Sequence, residues 1–143
     1  MTEVADVLLS VRQHLLHLSA VRTLLGPDGS GVFVALVPSK TPRPYVVLHQ
    51  LDQPGEHHLG GASSTRKTIV QVEAWSATSE GASALARAIE VAIDGWRGTM
   101  GSVWCLGAFK KAHRGPAAES LGDGGQAPAW SVQMDVEFWT DAA

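Results

Sequence analysis

A strand that runs directly into an amphipathic helix, within residues 66–98, constrains the fold of this 143-residue chain more than any other feature. Apolar and polar side chains alternate over Lys67–Ser76, which is the two-residue period of a half-buried strand. Apolar residues then recur every three or four positions as far as the tetrad Asp94–Arg97, which predicts one helix with a single apolar face. No reactive side chain lies at the junction, so the pattern indicates a unit built for assembly rather than chemistry.

The rest of the chain shows one more long helix and four more strands. An apolar stripe predicts a helix over Glu3–Leu18 with Thr2 as its N-cap, followed by a short helical turn over Ser19–Leu25. Glycine, proline and polar residues predict two long loops, near residues 53–66 and 113–128. The four further strands are predicted at Val32–Val37, Tyr45–Leu51, Val103–Ala112 and Trp130–Trp139.

The predicted element order is helix, three strands, helix, two strands, which favours an α+β fold over a parallel α/β sheet. We expect a single domain over residues 1–143, with a mainly antiparallel sheet of four or five strands. Both helices are expected to pack on one face of that sheet. The predicted core contains Val11, Leu15, Val70, Val72, Leu85, Ile89, Val132, Val136 and Phe138.

Composition and charge exclude several classes of protein. The net charge of -3 gives no concentrated basic face for nucleic acid. A single cysteine, Cys105, rules out an internal disulfide and a four-sulfur metal site. No run approaches the ~18 apolar residues of a membrane span, and Met1–Glu3 lacks the basic start of a signal peptide. We therefore expect synthesis in a reducing cytoplasm and no membrane association.

The histidines do not predict a metal site. His14 and His17 lie three apart on the first helix and form a candidate half-site, but no third ligand with suitable spacing joins them. The adjacent His57 and His58 lie in a predicted loop and point in different directions. Since a metal site needs a third ligand and supporting hydrogen bonds, we expect no bound metal.

Other reactive groups also lack the setting that catalysis requires. Cys105 lies in a predicted strand, where a buried thiol behaves as a small apolar side chain. Asp135 and Glu137 share a strand face and form a candidate acid–base pair, although a solvated strand face is the simpler interpretation. No glycine pattern matches a phosphate-binding loop or a nucleophile elbow. We therefore expect no catalytic and no cofactor-binding residues.

Surface cations and one tryptophan are the candidate interface residues. By alternation, Trp139 falls on the polar face of the last strand, where either a partner or another part of the same subunit must cover it. The cations flank the two predicted loops and are either solvated or in contact with an acidic partner surface. The candidate residues are Arg66, Lys67, Lys110, Lys111, Arg114 and Trp139.

Five segments resemble, in order and spacing, the tail completion proteins of long-tailed bacteriophages. This family includes the tail terminators of siphophages and of phage-like gene transfer agents. The similarity extends from about Val7 to Trp139 and consists of structural patterns rather than chemical signatures. The matching segments are Ser19–Gly26, Pro42–Leu48, His58–Gly60, Val70–Ser76 and the helix end Ile93–Gly95.

The resemblance implies a structural α+β subunit that assembles into a hexameric ring in the virion, at the head-proximal end of the tail. Such a ring caps the tube of the major tail protein, stops its polymerisation and docks with a head-completion, or stopper, protein. DNA would pass through the lumen without sequence-specific contact, and assembly would take place in the cytoplasm of the bacterial host. The family has no catalytic residues to carry over and no cofactor.

Three other functions remain open at this point. The nearest is another ring of the connector, such as a head-closure or adaptor protein. The second is a small metal-dependent hydrolase built on His14, His17, His49 or His57. The third is a ligand-binding module, which requires an apolar pocket with a few convergent polar groups.

Overall fold

The computed structural model describes residues 3–25, 31–38, 41, 43–51, 57–58, 61–62, 65–101, 103–119 and 129–141. In this part of the chain the backbone forms a layer of helices and a layer of strands. The helices are α1 (Glu3–His17), α2 (Ser19–Leu25) and α3 (Ser79–Ile93). The strands are β1 (Val32–Val34), β2 (Tyr45–Gln50), β3 (His57–His58), β4 (Gly61–Ala62), β5 (Thr65–Ser76), β6 (Gly98–Met100), β7 (Val103–Glu119) and β8 (Ala129–Asp141).

Six of these strands form one sheet in the order β1-β2-β5-β8-β7-β6. Only β1 and β2 run parallel, and all other neighbours are antiparallel. The predicted α+β class and the mainly antiparallel sheet are confirmed, whereas the predicted number of four or five strands is wrong. The sequence did not reveal β6, because a three-residue strand is too short to show a two-residue period.

The loop predicted over residues 113–128 is wrong in its first part, because β7 continues as far as Glu119. Its residues from His113 onward pair with β8, and the last pair is Glu119 with Ala129. Shifts in register absorb the glycine and proline that suggested a loop, including one between Arg114 and Ala117. Residues 120–128 lie outside the described residues.

The loop predicted near residues 53–66 is also shorter than expected. The two-residue strands β3 and β4 pair with each other inside it, and β5 already begins at Thr65. Residues 52–56, 59–60 and 63–64 lie outside the described residues. Strand β1 ends at Val34 rather than Val37, because Ala35 has a φ of 67°, outside the extended region.

The helices cover one face of the sheet, as predicted. Helix α1 contacts the sheet from β1 to β7, and α3 contacts β5, β7 and β8. The predicted helical turn after α1 is a regular helix, α2, so the described chain has three helices instead of two. The predicted core residues are all buried in one apolar cluster between the layers.

Local signals fix both ends of α3. The hydroxyl of Thr78 accepts a hydrogen bond from the Gly81 amide at 2.9 Å, which caps the first turn. At the other end Asp94 is extended and Gly95 has a φ of 81°, a conformation that favours glycine. The chain therefore leaves the helix within the predicted tetrad and enters β6.

Candidate assembly surfaces

The sheet face turned away from the helices, which we call the open face, is lined by polar and aromatic side chains. On β5 and β8 these residues alternate with the core residues, so that Gln71 pairs with Asp135 and Glu73 with Gln133. All four side chains are half-buried, because their neighbours on adjacent strands surround them. No helix packs on this face in the part of the chain that the structure describes.

A polar network crosses four strands at the centre of the open face. Arg114 on β7 forms two hydrogen bonds with the Asp135 carboxylate on β8, the shorter from Nη2 to Oδ1 at 2.9 Å. The Gln71 amide, oriented as its partners require, accepts from Arg114 Nη2 at 3.0 Å and donates to Glu73 Oε2 at 3.3 Å. His49 on β2 approaches Glu73 with 3.6 Å between Nε2 and Oε1. Hydrogen bonding to Asp135 and the charge of that carboxylate raise the pKa of Arg114 above its ordinary value.

A tryptophan–glutamate pair lies on either side of this network. Trp75 donates from Nε1 to Glu73 Oε1 at 3.1 Å, and Trp139 donates from Nε1 to Glu137 Oε1 at 3.0 Å. Lys67, the register partner of Trp139, places its Nζ 5.7 Å from the centre of the indole ring. Side chains of the same sheet therefore cover part of Trp139, and the ring remains half-buried rather than fully covered.

An apolar patch lies at the β7 end of the open face. Trp104, Leu106 and Phe109 remain 41–44% exposed, whereas Cys105 and Ala108 between them point into the core. The register shift between Cys105 and Gly107 turns the additional residue, Leu106, outward. Large apolar side chains so close together on a surface are typical of a protein–protein contact. A strand over this segment was predicted from the sequence, but the register shift that exposes part of its apolar run was not.

The candidate cations from the sequence do not form a single cluster. Lys110 points to the helix layer, where its Nζ lies 2.9 Å from Glu90 Oε2, whereas Arg114 joins the open face. Lys111 is the additional residue at the register shift between Lys110 and Ala112, and its side chain is exposed. Arg66 is exposed on β5. Lys67 lies beside Trp139, as described above. Their role in an interface stays a prediction.

Part of each edge of the sheet is capped by groups of the same chain. On β1 the Val32 carbonyl accepts from Arg12 Nε at 2.7 Å, and the Val34 carbonyl accepts from the Leu36 amide at 2.7 Å. The hydrogen bonds to β2 are instead made by Gly31, whose carbonyl accepts from the Val46 amide, and by Ala35, whose amide donates to the Leu48 carbonyl. The first two bonds occupy the outward acceptors of β1, which limits the addition of another strand.

On the other edge, β6 and the turn after α3 cover the first half of β7. The Gly95 amide donates to the Ala108 carbonyl at 2.7 Å, and the Ala108 amide donates to the Trp96 carbonyl at 3.0 Å. The carboxylate of Asp94 accepts from the Lys110 amide at 2.9 Å. Farther along, β7 contains Pro116, which has no N–H to donate. Asp94 therefore both ends α3 and caps part of the β7 edge.

The described residues contain no group of three or more potential metal ligands. His14 stacks on Trp96 with 4.1 Å between ring centres, and its buried Nε2 has no hydrogen-bond partner among the described residues. Burial and the nearby His17 lower the pKa of His14. His17 instead forms a 2.7 Å hydrogen bond through Nδ1 to the Gln13 carbonyl. Cys105 is buried as predicted, and burial raises the pKa of its thiol. None of the described helices is long and apolar enough to cross a bilayer.

Taken together, these features describe a two-layer α+β protein with aromatic side chains exposed on its open face. The sequence model of the family named Tail completion protein gp17 matches residues 10–141. The chain belongs to this family and is therefore a structural protein of the virion tail, which confirms the family resemblance seen in the sequence.

Other comparisons agree with the fold. A chain of the solved structure "Virion of native gene transfer agent (GTA) particle" is similar, with a TM-score of 0.68 and 18% identity over 99% of each chain. At this identity the similarity demonstrates a shared fold. No curated protein matches this chain by sequence.

Proposed function

We propose that this protein is a tail terminator. Six copies form a ring at the head-proximal end of the tail tube, where the ring stops tube polymerisation and provides the docking surface for the head. The observation that carries this proposal is the match to a tail completion family over residues 10–141. The shared fold with a chain of a gene transfer agent virion supports a place in a phage-like particle. The role is structural, without a catalytic step.

The ring has three kinds of protein contact: with its own copies, with the major tail tube protein and with a head-completion, or stopper, protein. DNA crosses the lumen without sequence-specific contact. The ion pairs of Lys110 with Glu90 and of Arg114 with Asp135 support this, because they neutralise cations that would otherwise attract phosphates. Exposed Arg66 and Lys111 are the candidates for contact with acidic surfaces of the tube or stopper.

Electron microscopy of particles assembled without this protein tests the proposal. A terminator predicts tails that are abnormally long, because nothing stops the tube protein from adding further rings. Tailless heads that leak DNA would instead identify a head-closure or adaptor ring, the nearest alternative. In a purified system, adding the protein to polymerising tube protein should shorten the tubes in proportion to its concentration, while bovine serum albumin should not.

A further inference from the structure

The turn between α3 and β6, residues 94–97, rests on helix α1 through an aromatic contact. We call this segment the edge turn. The imidazole of His14, in the last turn of α1, lies 4.1 Å from the Trp96 ring, measured between ring centres. The Trp96 ring also lies close to Gly98, where an added side-chain carbon would come within 2.9 Å of Trp96 Cζ2. Trp96 therefore attaches the edge turn to the helix layer at His14.

The edge turn also covers a stretch of β7 by hydrogen bonds. The Trp96 carbonyl accepts from the Ala108 amide at 3.0 Å, and the Gly95 amide donates to the Ala108 carbonyl at 2.7 Å. The Asp94 carboxylate accepts from the Lys110 amide at 2.9 Å. Trp96 therefore links two contacts, because its ring lies on α1 and its carbonyl is bonded to β7.

His14 is the titratable group in this contact, and its setting suits the neutral ring. Its Nε2 is buried and has no hydrogen-bond partner among the described residues. In a protonated ring this nitrogen would be a charged donor without water or an acceptor, which costs more free energy than an unpaired nitrogen of the neutral ring. Burial is the largest cause that lowers the pKa of His14, and the charge of His17 adds to it.

Charged groups nearby add to this preference. The C-terminal end of α1 favours a cation, and His17 already contacts the Gln13 carbonyl there. Cations predominate around α1, and the one described carboxylate on this side, Asp94, is bound to the Lys110 amide. Strands β1 and β6 have no charged side chain. The described charged or titratable groups on the helix side of α1 and its neighbouring elements are Arg12, His17, Arg22, Arg66, Asp94, Arg97, Lys110 and His113.

We propose that the edge turn is an acid-sensitive cover of β7. When His14 takes up a proton from solvent, its ring leaves Trp96 for water, and the edge turn opens while the rest of the sheet stays folded. Opening frees the amide and carbonyl of Ala108 and the amide of Lys110, which are backbone groups that an extended chain can bind. The device goes beyond the proposed function, because it needs neither a second copy nor a tail.

Hydrogen exchange at single amides tests the proposal, because three amides report directly on the edge turn. They are the amides of Gly95, Ala108 and Lys110. Val72 and Val136, in the two central strands, supply the reference amides. Exchange is followed by mass spectrometry with fragmentation at pH 7.5 and 5.5, with and without low urea. Dividing each rate by that of an unstructured peptide at the same pH gives a protection factor.

The variants separate His14 from other groups that titrate. His14→Phe keeps an aromatic ring beside Trp96 but cannot take up a proton. It also keeps Asp94, so any pH effect of that carboxylate would remain. His14→Gln is a second variant that cannot titrate, in case the phenyl ring disturbs folding, which circular dichroism checks. The matched control is His113→Gln, which removes an exposed histidine from β7 itself.

We expect the edge-turn amides to be less protected than the reference amides at pH 7.5. Their protection should not respond to low urea, because a local opening exposes little surface. On acidification it should fall by up to about tenfold per pH unit between about 6.5 and the lowered pKa of His14, since opening is linked to one proton. His14→Phe and His14→Gln should abolish this fall, and His113→Gln should keep it.

Several results would overturn the proposal. Protection in the parent that does not change with pH would do so, as would an equal fall in His14→Phe. Edge-turn amides that match the reference amides in protection and in urea response would show that the turn opens only when the whole protein unfolds. Protection that rises at pH 5.5 would mean that the imidazolium stays on the indole ring of Trp96 and strengthens the contact.

Discussion

The two faces of the central sheet use the same strands for different purposes. On the covered face Val72 and Phe138 are buried under the helices. One residue away, Glu73 and Glu137 lie on the open face, half-buried and hydrogen-bonded to tryptophans. Because successive side chains of a strand point to opposite faces, core and surface are interleaved at single-residue spacing. The comparison teaches that stability depends mainly on one face, which leaves the other free to specify a partner.

Truncating one phenylalanine on each face gives the sharpest test of this comparison. Phe138→Ala leaves a cavity in the core and should lower the free energy of unfolding by roughly 3–5 kcal/mol. Phe109→Ala removes a ring that is already 44% exposed and should cost less than about 1 kcal/mol. Urea denaturation followed by tryptophan fluorescence measures both. Equal losses at the two positions would show that the open face carries as much stability as the core.

A smaller effect is expected where the helix layer is anchored over the covered face. Thr78→Ala removes the hydroxyl that caps α3 and should lower the free energy of unfolding by about 1 kcal/mol. Thr99→Ala, at an exposed position on β6, is the control and should have little effect. Thermal unfolding followed by circular dichroism compares the two variants. If Thr99→Ala cost as much as Thr78→Ala, the cap would have no special role.

Breaking the polar network of the open face should have a smaller effect still. Arg114→Met removes the ion pair with Asp135 and should lower the urea midpoint only slightly, because the guanidinium is well exposed. The difference from the parent should shrink in 1 M NaCl, since salt screens the pair. A double-mutant cycle with Asp135→Asn measures the coupling directly. A loss of stability as large as that of Phe138→Ala would mean that this face is structural rather than free to specify a partner.

The smallest expected effect is a dependence of stability on pH, caused by His14 in the helix layer that covers the sheet. The pKa of His14 is lowered in the folded state, so between that value and the unfolded value of about 6.5 the unfolded chain binds more protons. Stability should therefore be complete above about pH 6.5 and decline as the pH falls through the folded pKa. Urea midpoints between pH 7.5 and 5.5 measure the slope, which His14→Phe should reduce. His113→Gln, at an exposed histidine, should leave the slope unchanged.

Much of the covered face was predictable, because burial imposes a period on the sequence. The stripe on α3 and the alternation on β8 each identify core residues that the structure places under the helices. Short or irregular elements were not predictable by this route. Strand β6 is three residues long, and β7 contains shifts of register that interrupt its alternation. The extension of β7 depends on pairing with β8, which is a long-range interaction with no local signal.

The open face was predictable in composition but not in arrangement. Alternation placed Trp139 and Glu137 on the same side of β8, and the structure keeps them there, joined by a hydrogen bond. The contacts that cross strands depend on register, and register emerges only when the sheet is assembled. The Arg12 cap on Val32 joins residues twenty positions apart, and nothing in either segment indicates it.

The capped stretches of the sheet edges also bear on which neighbours a free subunit can bind. Backbone hydrogen bonds are the same in every protein, so an uncapped strand can pair with any extended chain that it meets. Where these groups are satisfied within the chain, as at the Val32, Val34 and Ala108 carbonyls, a second strand gains no hydrogen bond. Along those stretches only side chains can bind a neighbour, and side chains differ from one partner to the next.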